Sequence, residues 1–161
     1  MAQSSFGGGN FALAGWGSRV GAALLDGLIL LVPTIILIGI IGAVASTGSG
    51  GGIIATALIG ALAYLVIALL YAPLLMSRGG AKNGQTIGKQ VTNCRVVRAN
   101  GEPFTFGSAA VREVAVKGFL FGGIGQFFLF IPTLLDWLWP LWDDENRALH
   151  DMVVSSRVVR E

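Results

Sequence analysis

Twenty-six consecutive residues, Val20 to Ala45, contain one charge, Asp26, and two further runs resemble them. Ile53–Met76 has no charge in 24 residues, and Gly118–Trp142 has one in 25. About 20 apolar residues cross the hydrocarbon core of a bilayer, so these runs predict a polytopic membrane protein. Charged residues make up only 12% of the chain and mean hydropathy is +0.71, where a soluble domain carries about 25% charge. With 161 residues there is room for one domain and no separate soluble catalytic unit. The expected fold is all-α, with three hydrophobic helical segments over 20–45, 53–76 and 118–142. Ahead of it, residues 1–15 read as a flexible tail, because Gly7, Gly8 and Gly9 follow one another there. The apolar run is too long for a cleaved signal and no basic residue precedes it before Arg19.

The segment 77–117 changes character. Seven basic residues (Arg78, Lys82, Lys89, Arg95, Arg98, Arg112 and Lys117) stand against Glu102 and Glu113, a net of +5. Basic loops of this length stay in the cytoplasm, which places the N-terminus there and Ser46–Gly52 outside. Inside the loop, Gln90–Arg98 reads as a strand and Phe106–Lys117 as an amphipathic helix on the membrane surface. Val153–Arg160 is a second strand-like run, and Arg95–Val97 is expected to pair with Arg157–Val159 in a small cytoplasmic hairpin-like element. That pairing requires the third apolar run to return rather than cross. Gly122-Gly123-Ile124-Gly125, Pro132 and Pro140 suit a broken, re-entrant segment, but a single crossing is the open alternative.

Asp26 is the first candidate site. A carboxylate at the centre of a membrane helix costs roughly 2.5–3.5 kcal/mol, so it should have a partner. It either locks helix 1 to its neighbours or serves as an ion or proton site, because low dielectric makes a carboxylate hold its proton more readily. Arg19, seven residues earlier, can anchor the helix end or take a partner of its own. Asp143–Asp151 (DDENRALHD) gathers six ionisable groups; His150 and Asp151 suggest a relay, and Arg147 is expected to pair with an acid. Asp136 is expected near the interface. Gly84–Gln90 (GQTIGKQ) fails the phosphate-loop pattern in spacing and in its last residue. Lys82, Lys89, Arg95 and Arg98 read instead as contacts to anionic headgroups. One Cys and one His make no metal set, and nothing suggests an enzyme, a cofactor or nucleic acid.

Arg19-x6-Asp26, Gly84-Gln85-Thr86-Ile87-Gly88-Lys89 leading into Arg95-Val96-Val97, and Arg147-Ala148-Leu149-His150-Asp151 occur in that order. Together they resemble the RDD family of small multi-pass bacterial membrane proteins over about Trp16 to Val159. The resemblance implies that the namesake residues are Arg19, Asp26 and Asp151, and that the chain sits in the bacterial inner membrane. Ser155-Ser156-Arg157 departs from the family's small-residue-Thr pattern. The family suggests transport, including cation/proton antiport. Three spans are few for a carrier built on repeats, so that reading implies self-association, which Gly17/Gly21 and Gly118/Gly122 spacings would support. The competing reading is a non-catalytic accessory subunit of a larger complex, with Arg19 paired to Asp151. Transport is the favoured one, since a buried Asp is otherwise costly to keep.

Overall fold

The computed structural model describes residues 3–6, 9–48, 50–124 and 127–160. Two long helices dominate it, α1 (Trp16–Ala45) and α2 (Gly50–Met76). Long uncharged stretches rich in Leu, Ile and Ala explain the length, the charges of α1, Arg19 and Asp26, lying in its first turns, and neither Pro33 nor Pro73 ends its helix. The turn between them uses Gly48 at φ +72°, a left-handed value that glycine adopts without a Cβ clash. The helices pack against each other, with Leu37 lying where a Cβ on Gly60 would stand. Both are long and apolar enough to cross a bilayer, and neither apolar stretch is buried within the chain. Leu28, Ile38, Leu58 and Ile59 are each at least 60% exposed. Such faces are stable only against lipid or another protein.

The chain's own core lies at one end, where α1 begins and α2 stops. Ala14, Met76, Cys94, Val96, Phe104, Ala109 and Val158 form it. Its lid is a two-stranded antiparallel ladder of β3 (Cys94–Arg98) and β4 (Ser156–Arg160). Arg95 faces Val159, Val96 faces Val158 and Val97 faces Arg157, the pairing expected from the two Arg-Val-Val runs. A two-stranded ribbon is marginal alone; here Val96 and Val158 enter the core and α3 (Ile87–Val91) contacts β3.

Among the described residues, the third apolar run forms no third helix of spanning length. α4 (Phe106–Ala110) opens on a Thr105/Ser108 capping box and continues as a π-helix, Val111–Ile124. The chain then reverses through Leu129 and Phe130, at φ +53° and +61°. It comes back as α5 (Ile131–Leu138) and a 3-10 turn, Trp139–Leu141. Thr133 Oγ1 donates to the Phe121 carbonyl at 2.5 Å across this broken hairpin. The run folds back, and α6 (Leu149–Val153) and β4 rejoin the end that holds the 77–117 segment. Phe106–Lys117 is likewise not a self-contained helix, because it runs on into the π-helical stretch.

Part of residues 1–15 forms a small ladder. β1 (Gln3–Phe6) pairs with β2 (Gly9–Ala12), while Gly7 and Gly8 lie outside the described residues. Beyond β2, Leu13 bridges to Val159 and Ala14 N–H donates to the Val158 carbonyl at 2.9 Å. Backbone groups of β4 that would form an open edge thereby gain partners.

Candidate functional site

Asp26 is a three-way tie. Its Oδ1 accepts from the Tyr71 hydroxyl and from the Gly88 N–H, each at 2.7 Å, and its Oδ2 accepts from the Thr86 hydroxyl at 2.6 Å. One carboxylate thus joins α1, α2 and the start of α3. Thr86 also caps α3, accepting from the Lys89 N–H. The approach is possible because Gly88 lacks a Cβ, which would sit 2.1 Å from the Ala22 carbonyl oxygen and 2.8 Å from Asp26 Oδ1. At the other end of the GQTIGK segment, Gly84 has φ +78° and its Cβ would lie 2.1 Å from the Val96 oxygen. Gly84 is bonded to Met76 and Val96 through its backbone, so the segment is a strap held at both ends. Beyond Asp26, Gly27–Ala45 provides about 28 Å of helix at 1.5 Å per residue. That is close to the hydrocarbon thickness of a bilayer, so the helix can span without carrying Asp26 to the centre, where its cost would be greatest.

A second, larger cluster surrounds Asp151, which is fully buried. Arg19 of α1 pairs with its Oδ2 and Arg112 of the π-helix with its Oδ1. Ser156 Oγ and the Ala148 N–H complete the shell at 3.1 and 3.2 Å. Arg19 also donates to the Asn146 carbonyl. Arg112 continues the network to Glu113, which meets Lys89 at 3.5 Å and Lys117 at 3.4 Å. On its other side Arg112 Nη2 lies 3.1 Å from His150 Nε2. Guanidinium nitrogen only donates, so Nε2 must be the acceptor and the proton sits on Nδ1. Nδ1 in turn faces the Asp136 carboxylate at 2.8 Å, and the His150 backbone N–H donates to the same group at 2.8 Å. The ring is therefore neutral and fixed.

Electrostatics agree with this assignment. Burial pushes the His150 imidazole below its ordinary value, outweighing Asp151. For Asp151 burial acts upward, but the Arg19 and Arg112 guanidiniums hold the carboxyl well below the usual range. Glu113 behaves alike, held down by Lys117, Lys89 and Arg112 against its burial. In each case the unfolded chain binds the proton first as pH falls, so stability must decline on the acid side. The melting temperature is expected to be highest above about pH 6.5, the ordinary value for His. It should fall as His150 titrates in the unfolded chain, then fall more steeply below about 4.5 as Glu113 and Asp151 join. Melts in detergent from pH 4 to 8 check this, and His150→Gln should remove the first decline only.

Between the two clusters lies a cavity of about 80 Å³, with Asp26, Lys89, Cys94, Lys117, Asp136 and His150 in its walls. The expected residues thus divide. Arg19 and Asp151 meet directly, while Asp26 belongs to a separate tie across the cavity. His150 takes Asp136 as its closest acid, not Asp151, at 2.8 against 3.6 Å. Arg147 stands apart from any relay, bound to Asp143 and Glu145 at 2.9 and 3.1 Å. Lys89 is buried against Glu113 rather than displayed at the surface, because α3 packs on α1 and the lysine side chain reaches the acid of the π-helix. Lys82 is exposed, and Arg98 is engaged with Glu102. Arg95 donates to the Ala81 carbonyl. Asp136 is 1% exposed and paired with His150 inside the chain. Sequence reasoning passed over Arg112, Glu113, Tyr71 and Ser156. Arg112-Glu113 in a helix with apolar neighbours is the same anomaly as Asp26 and was the available signal.

Two membrane-compatible helices with an ion-paired polar layer at one end define a small helical membrane protein of two long apolar helices. The chain belongs to the RDD family, whose model matches residues 13–155. No curated protein and no solved structure matches it. The matched stretch includes Arg19, Asp26 and Asp151, and Ser156, where the sequence departs from the expected pattern, still supplies a hydroxyl to Asp151.

Proposed function

We propose that the chain is a non-enzymatic subunit of a larger membrane assembly in the bacterial inner membrane. In this reading α1 and α2 span the bilayer, the +5 segment keeps both termini in the cytoplasm, and the broken hairpin of the third run re-enters without crossing. The observation that carries it is how the signature charges are engaged. Arg19 and Asp151 hold each other, and Asp26 already accepts three hydrogen bonds. Groups bound in this way fasten segments of the fold. The long exposed faces of α1 and α2 are then available to partner helices, with small residues such as Gly39 and Gly42, which have nothing within 4 Å of a would-be Cβ, permitting close approach.

One observation favours cation/proton transport as a second reading: Asp26 and the Asp136–His150 pair line the same cavity. In that case several copies would have to build the path between them, since the described polar side chains of the two spans beyond that level are few, Thr34 and Tyr64 among them. Purification of tagged full-length protein in mild detergent, with sodium and proton flux measured after reconstitution, separates the two. The subunit reading expects a stoichiometric partner, no flux, and normal levels of Asp26→Asn, because Asn retains one acceptor oxygen. Flux in the wild type that Asp26→Asn abolishes at unchanged protein level would establish the transport reading instead. A monomeric, partnerless, flux-free protein sinks both.

A further inference from the structure

Where α2 ends, the chain builds a groove separate from the cavity between the two clusters. It holds about 260 Å³, and its walls include Gly80, Asn83, Arg95, Arg98, Glu102 and Phe104. The groove is tied to the end of the span. Gly84 N–H donates to the Met76 carbonyl at 2.8 Å, and Arg78 Nε donates to the Leu75 carbonyl at 2.7 Å. Asn83 fixes the far wall, since its side chain accepts from the Phe104 N–H and donates to the Phe104 carbonyl, each at 2.8 Å.

The charges here are engaged differently from those around Asp151. Glu102 is the only acid among the described lining residues, and Arg98 and Asn100 already hold it at 2.9 and 2.7 Å. Both members of the Arg98–Glu102 pair are open to solvent, and a pair of that kind is weak enough to part. Beside the groove, Arg78 donates only to the Leu75 and Gln85 carbonyls. Lys82 stands exposed in the 3-10 turn Gly80–Lys82, and no described atom is bonded to it. No described acid answers either of these two charges. Next to them the surface turns apolar. Two residues after Phe104, α4 opens with the exposed Phe106, and Val111 at its end is exposed as well. α4 packs on α2, where Leu74 is exposed two residues before the helix stops. Unanswered cations beside uncovered apolar side chains match an amphiphile with an anionic head. Basic clusters just beyond the cytoplasmic end of a span attract anionic lipids, and guanidinium groups bind phosphate through charge-assisted hydrogen bonds.

We infer that this groove binds an anionic phospholipid of the adjoining leaflet, with Lys82 and Arg98 on its phosphate and Phe106 and Leu74 against its acyl chains. Arg78 adds to the field. The inference rests on α2 being a span and is independent of the choice between subunit and transporter, so its test and the partner and flux measurements can fail separately.

Full-length protein in nonionic detergent is titrated with short-chain phosphatidylglycerol and with phosphatidylcholine of the same chain length, and bound lipid is counted by native mass spectrometry. Melting temperature is read in parallel, with inorganic phosphate as a further probe, because a ligand of the native state raises it. Phosphatidylglycerol should bind more tightly than phosphatidylcholine and raise the melt. Lys82→Gln should weaken phosphatidylglycerol about fivefold, the effect of one cation near an anionic surface, and leave the melt without lipid unchanged. Arg98→Gln, which also frees Glu102, should weaken it further. Lys117→Gln removes the same unit of charge away from the groove and should leave the affinity as it was. Equal affinity for the two lipids, equal weakening by Lys82→Gln and Lys117→Gln, or a melting shift with inorganic phosphate as large as that with phosphatidylglycerol overturns the inference.

Discussion

Asp151→Asn is expected to destabilise the protein by about 3–5 kcal/mol, the cost of leaving buried charges without their partner. Asp151 is fully buried and holds two guanidiniums, whose side chains are 12% exposed for Arg19 and 2% for Arg112. Asparagine keeps one acceptor oxygen, but its amide turns donors toward cations that also only donate. Arg19 would still have the Asn146 carbonyl and Arg112 would still have Glu113, so the loss falls mainly on the seam joining α1, the π-helix and α6. Thermal melts in detergent, followed through the four tryptophans, read the effect. Arg147→Gln is the contrast. Its pair with Asp143 leaves Arg147 29% exposed, and such pairs are worth about 0–1 kcal/mol. Equal losses from the two variants would mean that Asp151 is not the clasp described. The double variant Asp151→Asn with Arg19→Gln should recover part of the loss, because it removes one of the two uncompensated cations.

Some of this was readable from sequence because the signals are local or repeated. The spans follow from uninterrupted apolar runs, the strand pairing from two copies of Arg-Val-Val, and the break in the third run from its glycines and prolines. The Arg19–Asp151 pair was expected only under the accessory-subunit reading. What was not readable depends on contacts between distant positions. The donors to Asp26 come from residues 45, 60 and 62 positions away, and no helical period announces them. Lys89 looked like a surface cation because only its own neighbours were counted. Glu113, 24 residues on, is what permits its burial. The π-helical register is equally silent in the sequence, since apolar spacing cannot separate bonds to the fourth from bonds to the fifth preceding residue. The partner of Asp136 was hidden for the same reason as that of Lys89: His150 lies 14 residues on, in α6.

Gly88→Ala should produce the other large loss, at or above the usual 1–3 kcal/mol for overpacking. The added Cβ would meet the Ala22 carbonyl at 2.1 Å and Asp26 Oδ1 at 2.8 Å. A carbonyl inside α1 cannot rotate aside, so α3 must lift away from α1. Lifting it stretches the Gly88 N–H bond to Asp26 and the Thr86 hydroxyl bond beside it, leaving the carboxylate with Tyr71 alone. It also pulls Lys89, the next residue, from Glu113. One methyl group therefore acts on both sides of the cavity. Gly27→Ala, immediately after Asp26 on the same helix, has nothing within 4 Å of its would-be Cβ. It should be neutral or stabilising by about 0.5–1 kcal/mol, the helical preference of alanine over glycine. The melting temperature should thus fall in Gly88→Ala and stay put or rise in Gly27→Ala. If Gly88→Ala is tolerated as well as Gly27→Ala, the strap does not press on α1, and the proposed reason for a glycine in the GQTIGK segment fails with it.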